Sequence, residues 1–213
     1  MRVIVPFDPS EPNTRLSSLL SPVERREFAA AMLADVLAAV RGAGGNPEIL
    51  ASAPLDDAPT AVRDAAAGVP VTVDDRTLSA AVNAALDEGL PAAVVMADLA
   101  LADADALADL FDTEGDVVVA PGRGGGTNAL VVRSDAFAVD YHGVSFRDHV
   151  EAAERVGASV TTVDSFRLAV DVDAAADVLD VLVHGDGRAA DWLRDAGFRV
   201  AVEDGAPTVV RDA

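Results

Sequence analysis

Short apolar runs alternate with helix-like patterns along most of the chain. The first run, Val3–Pro6, predicts a strand, and Ser21 followed by Pro22 is typical of a helix N-terminus. Apolar residues then recur at three- and four-residue spacings as far as Val40, which predicts an amphipathic helix closed by the glycines that follow. Further strands are predicted at Pro47–Ala51, Val69–Val73, Ala92–Ala97, Asp116–Ala120 and Ala129–Val132, and further helices at Arg76–Glu88 and Asp103–Phe111.

This alternation predicts an α/β fold, with a Rossmann-like, mostly parallel sheet flanked by helices. The C-terminal part follows a less regular pattern. There we predict helices at Ser145–Val156, Ala174–Val183 and Arg188–Ala196, strands at Ser159–Val163 and Arg167–Val170, and either a hairpin of Arg199–Val202 with Thr208–Val210 or a frayed tail. No linker rich in Pro, Gly or Ser divides the chain, so we expect a single domain over residues 1–213.

The charge of the chain indicates which partners and which environment the protein has. The sequence holds 36 acidic and 16 basic residues, and its net charge of −20 argues against a protein that coats nucleic acid. All 16 basic residues are arginine, and aromatic residues make up only 4%. Together these features predict adaptation to molar salt, where the Debye length is about 3 Å and an acidic surface barely repels itself. A GC-rich genome would explain the missing lysine but not the excess of acids.

The lack of cysteine and of a long apolar stretch excludes further classes of protein. The sequence has no cysteine, so it has no disulfide, thiolate nucleophile or cysteine zinc site. Even the apolar stretch Ala92–Ala102 is interrupted by Asp98, and the chain opens on a strand-like segment rather than a signal peptide. We therefore expect a cytoplasmic protein without a membrane partner.

Candidate acidic residues follow predicted strands. Ligands of α/β folds bind beyond the carboxyl ends of the strands, where Asp98 directly follows a buried apolar run. Such a carboxylate could hold Mg²⁺, although a helix N-cap or loop acid is the alternative. Asp171 and Asp173 lie on the same side of an extended segment, and Asp173 is also the candidate N-cap of the helix that follows.

A glycine-rich block, Pro121–Asn128, follows another predicted strand. Its four glycines allow close backbone approach to a phosphate, and Arg123 with Gly124 and Gly125 would supply the counter-charge and the contacts. The block is neither a Walker loop nor a dinucleotide fingerprint, and a flexible surface turn is the alternative. The three histidines, His142, His149 and His184, share no metal-ligand spacing and are interpreted as structural or solvated.

Several of these segments resemble, in order, the archaeal 2-phospho-L-lactate guanylyltransferases. The matching segments are Val5–Phe7, Thr14–Leu16, Val95–Leu99, Ala120–Leu130, Tyr141–Phe146, Asp164–Phe166 and Asp171–Asp173. The resemblance covers nearly the whole chain, and the glycine block is its most specific part. That family is similar to the molybdenum-cofactor guanylyltransferase-like nucleotidyltransferases, with a sheet like that of the nucleotide-diphospho-sugar transferases. It acts in the biosynthesis of the deazaflavin coenzyme F420.

The resemblance implies a reaction and an acceptor site. GTP and 2-phospho-L-lactate would give lactyl-2-diphospho-5′-guanosine and pyrophosphate. The phosphate and carboxylate of the acceptor would lie near Thr127, Gly143 and Ser145. Phosphoenolpyruvate and 3-phosphoglycerate differ from phospholactate by a few atoms, and the residues do not separate these three acceptors.

The resemblance also implies a nucleotide and metal site. Arg15, in the first loop, would face the triphosphate, and Mg²⁺ would lie on Asp98 and on a C-terminal acid, Asp171 or Asp173. It suggests a homodimer as well, with the irregular region Phe137–Asp173 serving a partner subunit or a lid.

Two positions in the first loop depart from the family pattern. Asn13 and Asp8 stand where relatives carry cations. This loss of positive charge motivates the alternative of a catalytically weak nucleotide-binding module. No residue is identified as reading the guanine base.

Overall fold

The computed structural model describes residues 1–212. Its strands are β1 (Arg2–Phe7), β2 (Asn46–Ala51), β3 (Val71–Val73), β4 (Ala92–Val95), β5 (Val117–Pro121), β6 (Thr127–Val132), β7 (Val160–Thr162), β8 (Phe198–Glu203) and β9 (Ala206–Arg211). Its α-helices are α1 (Pro22–Gly42), α2 (Thr60–Ala65), α3 (Leu78–Asp87), α4 (Ala104–Asp112), α5 (Ser145–Arg155), α6 (Phe166–Ala169), α7 (Ala175–His184) and α8 (Arg188–Asp195). A 3₁₀ turn covers Thr14–Ser18.

The predicted α/β class with a mostly parallel sheet is confirmed. Within residues 1–212, seven strands form one sheet in the order β3-β2-β1-β4-β6-β5-β7. Strand β6 is antiparallel to its neighbours β4 and β5, and the other adjacent pairs are parallel. The carboxyl ends of β1 to β5 therefore lie along one edge of the sheet, and β6 begins at that same edge.

Apolar side chains fill both faces of the sheet. On one face, buried residues of α1, α4, α7 and α8 pack against the strands, and on the other face residues of α3 and α5 do so. Strand β4 is buried along its whole length, as its continuous apolar run predicts. No helix within the described range is both long and apolar enough to cross a bilayer.

Residues close together in the sequence determine where helix α1 begins and how the chain leaves it. The Ser21 side chain accepts a hydrogen bond from the backbone N of Glu24, and the Glu24 carboxylate accepts one from the backbone N of Ser21, 2.8 Å away. This reciprocal capping box begins the helix where the sequence predicts it. After the helix, a Cβ on Gly45 would lie 2.9 Å from side-chain atoms of both Val3 and Val40. Only glycine lets the chain turn so closely into β2.

The C-terminal hairpin is also confirmed. Strands β8 and β9 pair in an antiparallel register that sets Val200 opposite Val209. The turn between them places Asp204 at φ +50° and Gly205 at φ +79°, the conformation that favours Asp-Gly in tight hairpins. The hairpin packs on α7 and α8 rather than on the main sheet.

The predicted strand at Arg167–Val170 is wrong, because Phe166–Ala169 forms the short helix α6. The backbone N of Ala169 donates to the Ser165 carbonyl oxygen at 2.9 Å, which closes a helical turn. An apolar run this short has no readable period, so contacts elsewhere in the fold decide its conformation. The same brevity explains why α2 and the 3₁₀ turn are not apparent in the sequence.

Candidate functional site

A cavity of about 330 Å³ opens at the edge where the parallel strands end. Its walls are residues that close or follow β1 to β4, together with parts of the first loop and of α1 and α3. The apolar part includes Pro6, Phe7, Pro12, Met32, Leu50, Leu78 and Met96, and the polar part comprises Asp8, Asn13, Ser52, Asp74, Arg76, Asp98 and Asp173. The cavity thus lies where ligands of open α/β sheets bind.

Asp98 lines this cavity, three residues beyond the end of β4. Its Oδ1 atom is buried and has no hydrogen-bond partner among residues 1–212. Burial, and then the nearby charges of Asp171 and Asp173, raise the pKa of Asp98 to about 7. A buried carboxylate is costly when unpaired, so this group calls for a proton or a cation.

Asp171 lies close to Asp98 because the chain returns to the end of β4. The backbone N of Val172 donates to the Asp98 carbonyl oxygen at 3.1 Å. The buried Asn128 amide donates to Asp171 Oδ1 at 3.2 Å and to the Leu168 carbonyl oxygen at 2.9 Å. Asn128 therefore restrains the carboxylate of one predicted metal ligand.

The first glycine of the glycine block makes room for Asn128. A Cβ on Gly122 would lie 2.4 Å from Asn128 Oδ1, which is too close for any real side chain. Asn128 has no predicted role in the sequence pattern. Its signal is a single amide directly after a glycine turn, and only the fold reveals its partner.

The first loop meets Asp173 at the same place. Arg15 Nη1 lies 2.6 Å from Asp173 Oδ2, and the Asn13 amide donates to the Val172 carbonyl oxygen at 2.9 Å. Burial raises the pKa of Asp173, although the Arg15 charge acts against this shift. The structure thus brings together Asp98, Asp171, Asp173 and Arg15, and their roles toward metal and triphosphate stay predictions.

The interpretation of Asp173 as a helix N-cap is wrong. Helix α7 begins at Ala175, and its N-cap position is Ala174. The backbone N–H groups at a helix start lack partners within the helix backbone. Here Asp177, in the first turn, accepts two hydrogen bonds through Oδ2: from the backbone N of Ala174 at 2.7 Å and from that of Asp173 at 3.1 Å. The Asp173 carboxylate is free of that task and faces Arg15.

The carboxylates fit a magnesium ion whose remaining ligands come from water and from the phosphates of a substrate. Across residues 1–212, no three His, Asp or Glu side chains form a group that could hold a metal by themselves. Mg²⁺ is typically bound by one or two carboxylates, with waters and substrate phosphates as the other ligands. Asp98, with its unpartnered Oδ1 and a second acid beside it, matches that requirement.

The glycine block itself forms the turn between β5 and β6. The backbone N of Gly122 donates to the Gly126 carbonyl oxygen at 2.9 Å, and that of Gly125 to the Gly122 carbonyl oxygen at 2.9 Å. The Arg123 guanidinium pairs with Asp177 at 2.9 Å and Asp180 at 2.8 Å, both on α7.

None of the predicted nucleotide contacts Arg123, Gly124 and Gly125 is among the described residues that line the cavity. Arg123 instead ties the turn to α7. Nucleotide binding by these three residues stays a prediction.

The predicted acceptor-binding residues form a buried cluster beside this turn. Thr127 and Ser145 are 4% and 5% exposed, and the backbone N of Thr127 donates to Ser145 Oγ at 3.0 Å. The backbone N of Phe146 donates to the Gly125 carbonyl oxygen at 3.2 Å, which seats the start of α5 on the turn. Gly143 lies two residues before α5, exposed, at φ +49°.

Two of the three histidines, His142 and His184, are exposed, as predicted. His142 is exposed and bonded to Asp140, and His184 stacks edge-on against Phe166. His149 is fully buried, and its Nδ1 atom lies 2.8 Å from Thr127 Oγ1. Nothing in its spacing along the chain pointed to this contact with a predicted acceptor-binding residue.

Proteins of known sequence match this chain along nearly its whole length. The chain matches the family model described as "Guanylyl transferase CofC like" over residues 1–211. It is 58% identical over 214 residues to the 2-phospho-L-lactate guanylyltransferase of Halobacterium salinarum, with 100% of this chain and 99% of the relative covered. It is 56% identical over 211 residues to the protein of that name in Natronomonas pharaonis, with 99% of each chain covered.

Solved structures show the same fold at low sequence identity. A protein described as a nucleotide-diphospho-sugar transferase from Desulfovibrio desulfuricans G20 aligns with a TM-score of 0.73 at 16% identity, covering 91% of this chain and 94% of that one. A nucleotidyl transferase from Methanothermobacter aligns with a TM-score of 0.62 at 17% identity, covering 91% and 98%. These similarities show the fold alone, whereas the family match and the close relatives show the family. The chain belongs to the CofC-like guanylyl transferase family.

Proposed function

We propose that this protein transfers the guanylyl group of GTP to 2-phospho-L-lactate, giving lactyl-2-diphospho-5′-guanosine and pyrophosphate for coenzyme F420 biosynthesis. The observation that carries the proposal is the acidic end of the cavity, where Asp98 has a buried, unpartnered carboxylate oxygen next to Asp171 and Asp173. Polyphosphate chemistry uses such a site, and relatives with 58% and 56% identical sequences carry this activity in their names.

The proposed step is an in-line displacement at phosphorus. An oxygen of the acceptor phosphate attacks the α-phosphorus of GTP and forms the new P–O bond. The bond from that phosphorus to the oxygen bridging to the β-phosphorus breaks, and pyrophosphate leaves with the electron pair. The protein supplies little covalent chemistry here, so its contribution is the orientation of two anionic substrates and the stabilisation of their charge.

Asp98, together with Asp171 or Asp173, would hold Mg²⁺. When bound, that ion supplies positive charge against the phosphate oxygens. The chain's own contribution is the fixed orientation of the ligands, through the Asn128 hydrogen bond to Asp171 and the backbone bond from Val172 to Asp98. The pKa of Asp98, about 7, means that ionisation of this ligand is poised near neutral pH.

Arg15 is the proposed cationic contact for the triphosphate. It belongs to the loop that follows β1, and it is 74% exposed although its guanidinium pairs with Asp173. An exposed arginine held by a single carboxylate can exchange that partner for a phosphate at small cost, because exposed ion pairs contribute only about 0–1 kcal/mol. We therefore assign it to the leaving pyrophosphate.

The acceptor would lie with its anionic groups at Thr127, Ser145 and the backbone near Gly143. Phosphoenolpyruvate and 3-phosphoglycerate carry the same phosphate and carboxylate, so both are alternative acceptors. The second candidate function is a weak nucleotide-binding module. The observation in its favour is Asn13, an uncharged residue of the first loop whose amide donates to the Val172 carbonyl oxygen at 2.9 Å.

One assay separates these functions. The protein is incubated in 2–3 M KCl with GTP, MgCl₂ and each of the three acceptors, and pyrophosphate release is followed, with Asp98→Asn as the matched control. We expect fastest release with 2-phospho-L-lactate and almost none from the variant. Faster release with another acceptor would reassign the substrate. GTP binding without release in any mixture would favour the binding module.

We further propose that the protein acts in the cytoplasm, where GTP is available, and as a homodimer. The region Phe137–Asp173 carries the exposed apolar side chains Val144, Val156 and Phe166. The proposal is that these side chains belong to one contiguous surface that a second subunit covers.

A further inference from the structure

His149 is a fully buried histidine with both ring nitrogens hydrogen-bonded. Its Nδ1 atom lies 2.8 Å from Thr127 Oγ1, and its Nε2 atom lies 2.9 Å from the backbone N of Asp140. The rings of Tyr141 and Phe137 pack edge-on against it, with centroids 5.0 Å and 6.0 Å away. The imidazole therefore cannot rotate without losing both hydrogen bonds.

These partners determine where the proton of the ring lies. A backbone N–H can only donate, so the Nε2 atom facing Asp140 accepts and carries no proton. The neutral ring must then carry its proton on Nδ1 and donate it to Thr127 Oγ1. Burial lowers the pKa of His149 to about 4, against the charges of Asp140 and Asp148, so the ring is neutral at physiological pH.

This tautomer orients the Thr127 hydroxyl. Because Thr127 Oγ1 accepts from His149, its own hydrogen must point away from the ring. Ser145 Oγ is in the same situation, since it accepts from the backbone N of Thr127 at 3.0 Å. Within the part of the chain that the structure describes, neither hydroxyl hydrogen has an acceptor. Two nearly buried hydroxyls beside each other, each already accepting one hydrogen bond and each with its hydrogen unpaired, are suited to bind an anion.

We propose that His149 is a positioning residue for the acceptor substrate, which turns the Thr127 hydroxyl hydrogen toward the carboxylate or phosphate of that substrate. The inference rests on the proposed function. It adds to the acceptor site a residue that supports a substrate-binding side chain from behind. His149 does not touch the substrate. It fixes the direction in which a substrate-contacting hydroxyl donates.

The two hydrogen bonds of His149 can be separated by substitution. In His149→Asn, the side-chain amide lies near the position of Nδ1 and can donate to Thr127, but it does not reach Asp140. In His149→Gln, the amide lies near the position of Nε2 and can accept from Asp140, but it leaves Thr127 without its donor. A positioning role predicts that Asn preserves acceptor binding and Gln loses it. A merely structural role, which holds the loop at Asp140, predicts the opposite order.

The experiment measures acceptor and GTP binding separately. Calorimetric titrations in 2–3 M KCl give the Kd of 2-phospho-L-lactate and of GTP for the wild type, His149→Asn and His149→Gln, alongside KM and kcat from pyrophosphate release. We expect His149→Gln to weaken acceptor binding roughly tenfold or more, as for a lost hydrogen bond to a charged group, with the GTP Kd unchanged. His149→Asn should stay close to the wild type in both constants.

A double-mutant cycle provides the control against a folding defect. Thr127→Val removes the hydroxyl, so adding His149→Gln to it should weaken acceptor binding no further. Additive losses, equal effects of Asn and Gln, or a loss with Asn alone would overturn the inference. If the wild type binds the acceptor but releases no pyrophosphate, the proposed function fails while the comparison of Kd values still tests His149. If the wild type binds none of the three acceptors, both proposals fall.

Discussion

At the scale of single residues, Asp98 dominates the chemistry of the cavity. Its carboxylate is buried, one oxygen has no protein hydrogen bond within residues 1–212, and two acidic neighbours add repulsion. A residue that only stabilised the fold would not be kept in such surroundings, because its ionisation opposes folding. The cost is offset when a cation is bound, so Asp98 links metal binding to pH.

Replacing Asp98 by Asn should separate stability from activity. In the unfolded chain an Asp ionises near pH 4, whereas Asp98 in the folded protein has a pKa of about 7. Between these values the folded state binds more protons at this group, so Asp98 contributes a loss of stability to the metal-free wild type as pH rises from 4 to 7. Asp98→Asn should lack this loss and melt higher at pH 8.

Thermal melts without metal at pH 4.5 and pH 8, with pyrophosphate release measured in parallel, check this prediction. Turnover of Asp98→Asn should fall by roughly 10²-fold or more if the side chain contributes a few kcal/mol to the transition state. Near-normal turnover combined with a lower melting temperature would make Asp98 a structural acid.

At the scale of secondary-structure elements, the start of α7 divides two tasks between two acids. Asp177 accepts from the backbone N of Asp173 and of Ala174, whereas Asp173 pairs with Arg15. Asp177→Ala removes these two hydrogen bonds and one of the two ion pairs of Arg123, so it should lower the free energy of unfolding by about 1–2 kcal/mol. Asp173→Ala should cost less, since its burial raises its pKa and its ion pair is exposed. Chemical denaturation of both variants gives the two values, and a larger loss for Asp173→Ala would contradict the assignment.

The glycine turn offers a second matched pair. A Cβ on Gly122 would overlap the buried Asn128 side chain, whereas a Cβ on Gly124 would meet nothing within 4 Å. Gly122→Ala should displace Asn128, break its two hydrogen bonds and destabilise the fold by roughly 2 kcal/mol or more. Gly124→Ala should change stability by no more than about 0.5 kcal/mol.

Melting temperatures of the two variants check this pair, and equal losses would mean that Asn128 has another way to pack. The KM for GTP of Gly124→Ala provides a separate readout. A raised KM with unchanged stability would support the prediction that the turn contacts the nucleotide.

At the scale of the whole molecule, net charge determines how the fold responds to salt. With 36 acids and 16 bases, even complete ion pairing leaves 20 acids without a basic partner. Salt weakens surface ion pairs of about 0–1 kcal/mol each, but it also screens the repulsion among the unpaired acids. Because the acids are in excess, the melting temperature should rise from 0.1 M to 2 M KCl. A midpoint that stays flat or falls would contradict adaptation to salt, which the halophilic origin of the relatives favours.

The oligomeric state belongs to the same scale. If the exposed apolar side chains of the region Phe137–Asp173 are covered by a second copy, light scattering in 2 M KCl should give a mass near twice the 21.8 kDa of one chain. Changing Val144 and Phe166 to Asp should then give monomers without loss of the fold. A wild type that scatters as a monomer at micromolar concentration would refute the homodimer.

The sequence by itself determined the elements whose signals are local. The capping box and apolar spacing of α1, the buried run of β4 and the Asp-Gly turn of the C-terminal hairpin act within a few residues, so they are legible without the fold. The position of Asp98 also follows locally, because a carboxylate directly after a buried strand must lie at the edge of the sheet. The order of the motifs identified the family.

Only the tertiary structure decided which side chains meet. Asp177 rather than Asp173 caps α7, Arg123 pairs with α7 instead of lining the cavity, and α6 replaces a predicted strand. The hydrogen bonds of Asn128 to Asp171, and of His149 to Thr127, likewise join residues far apart in the chain. Local periodicity carries no information about such pairs, because their energy depends on burial and on partners that come within reach only when the sheet has formed.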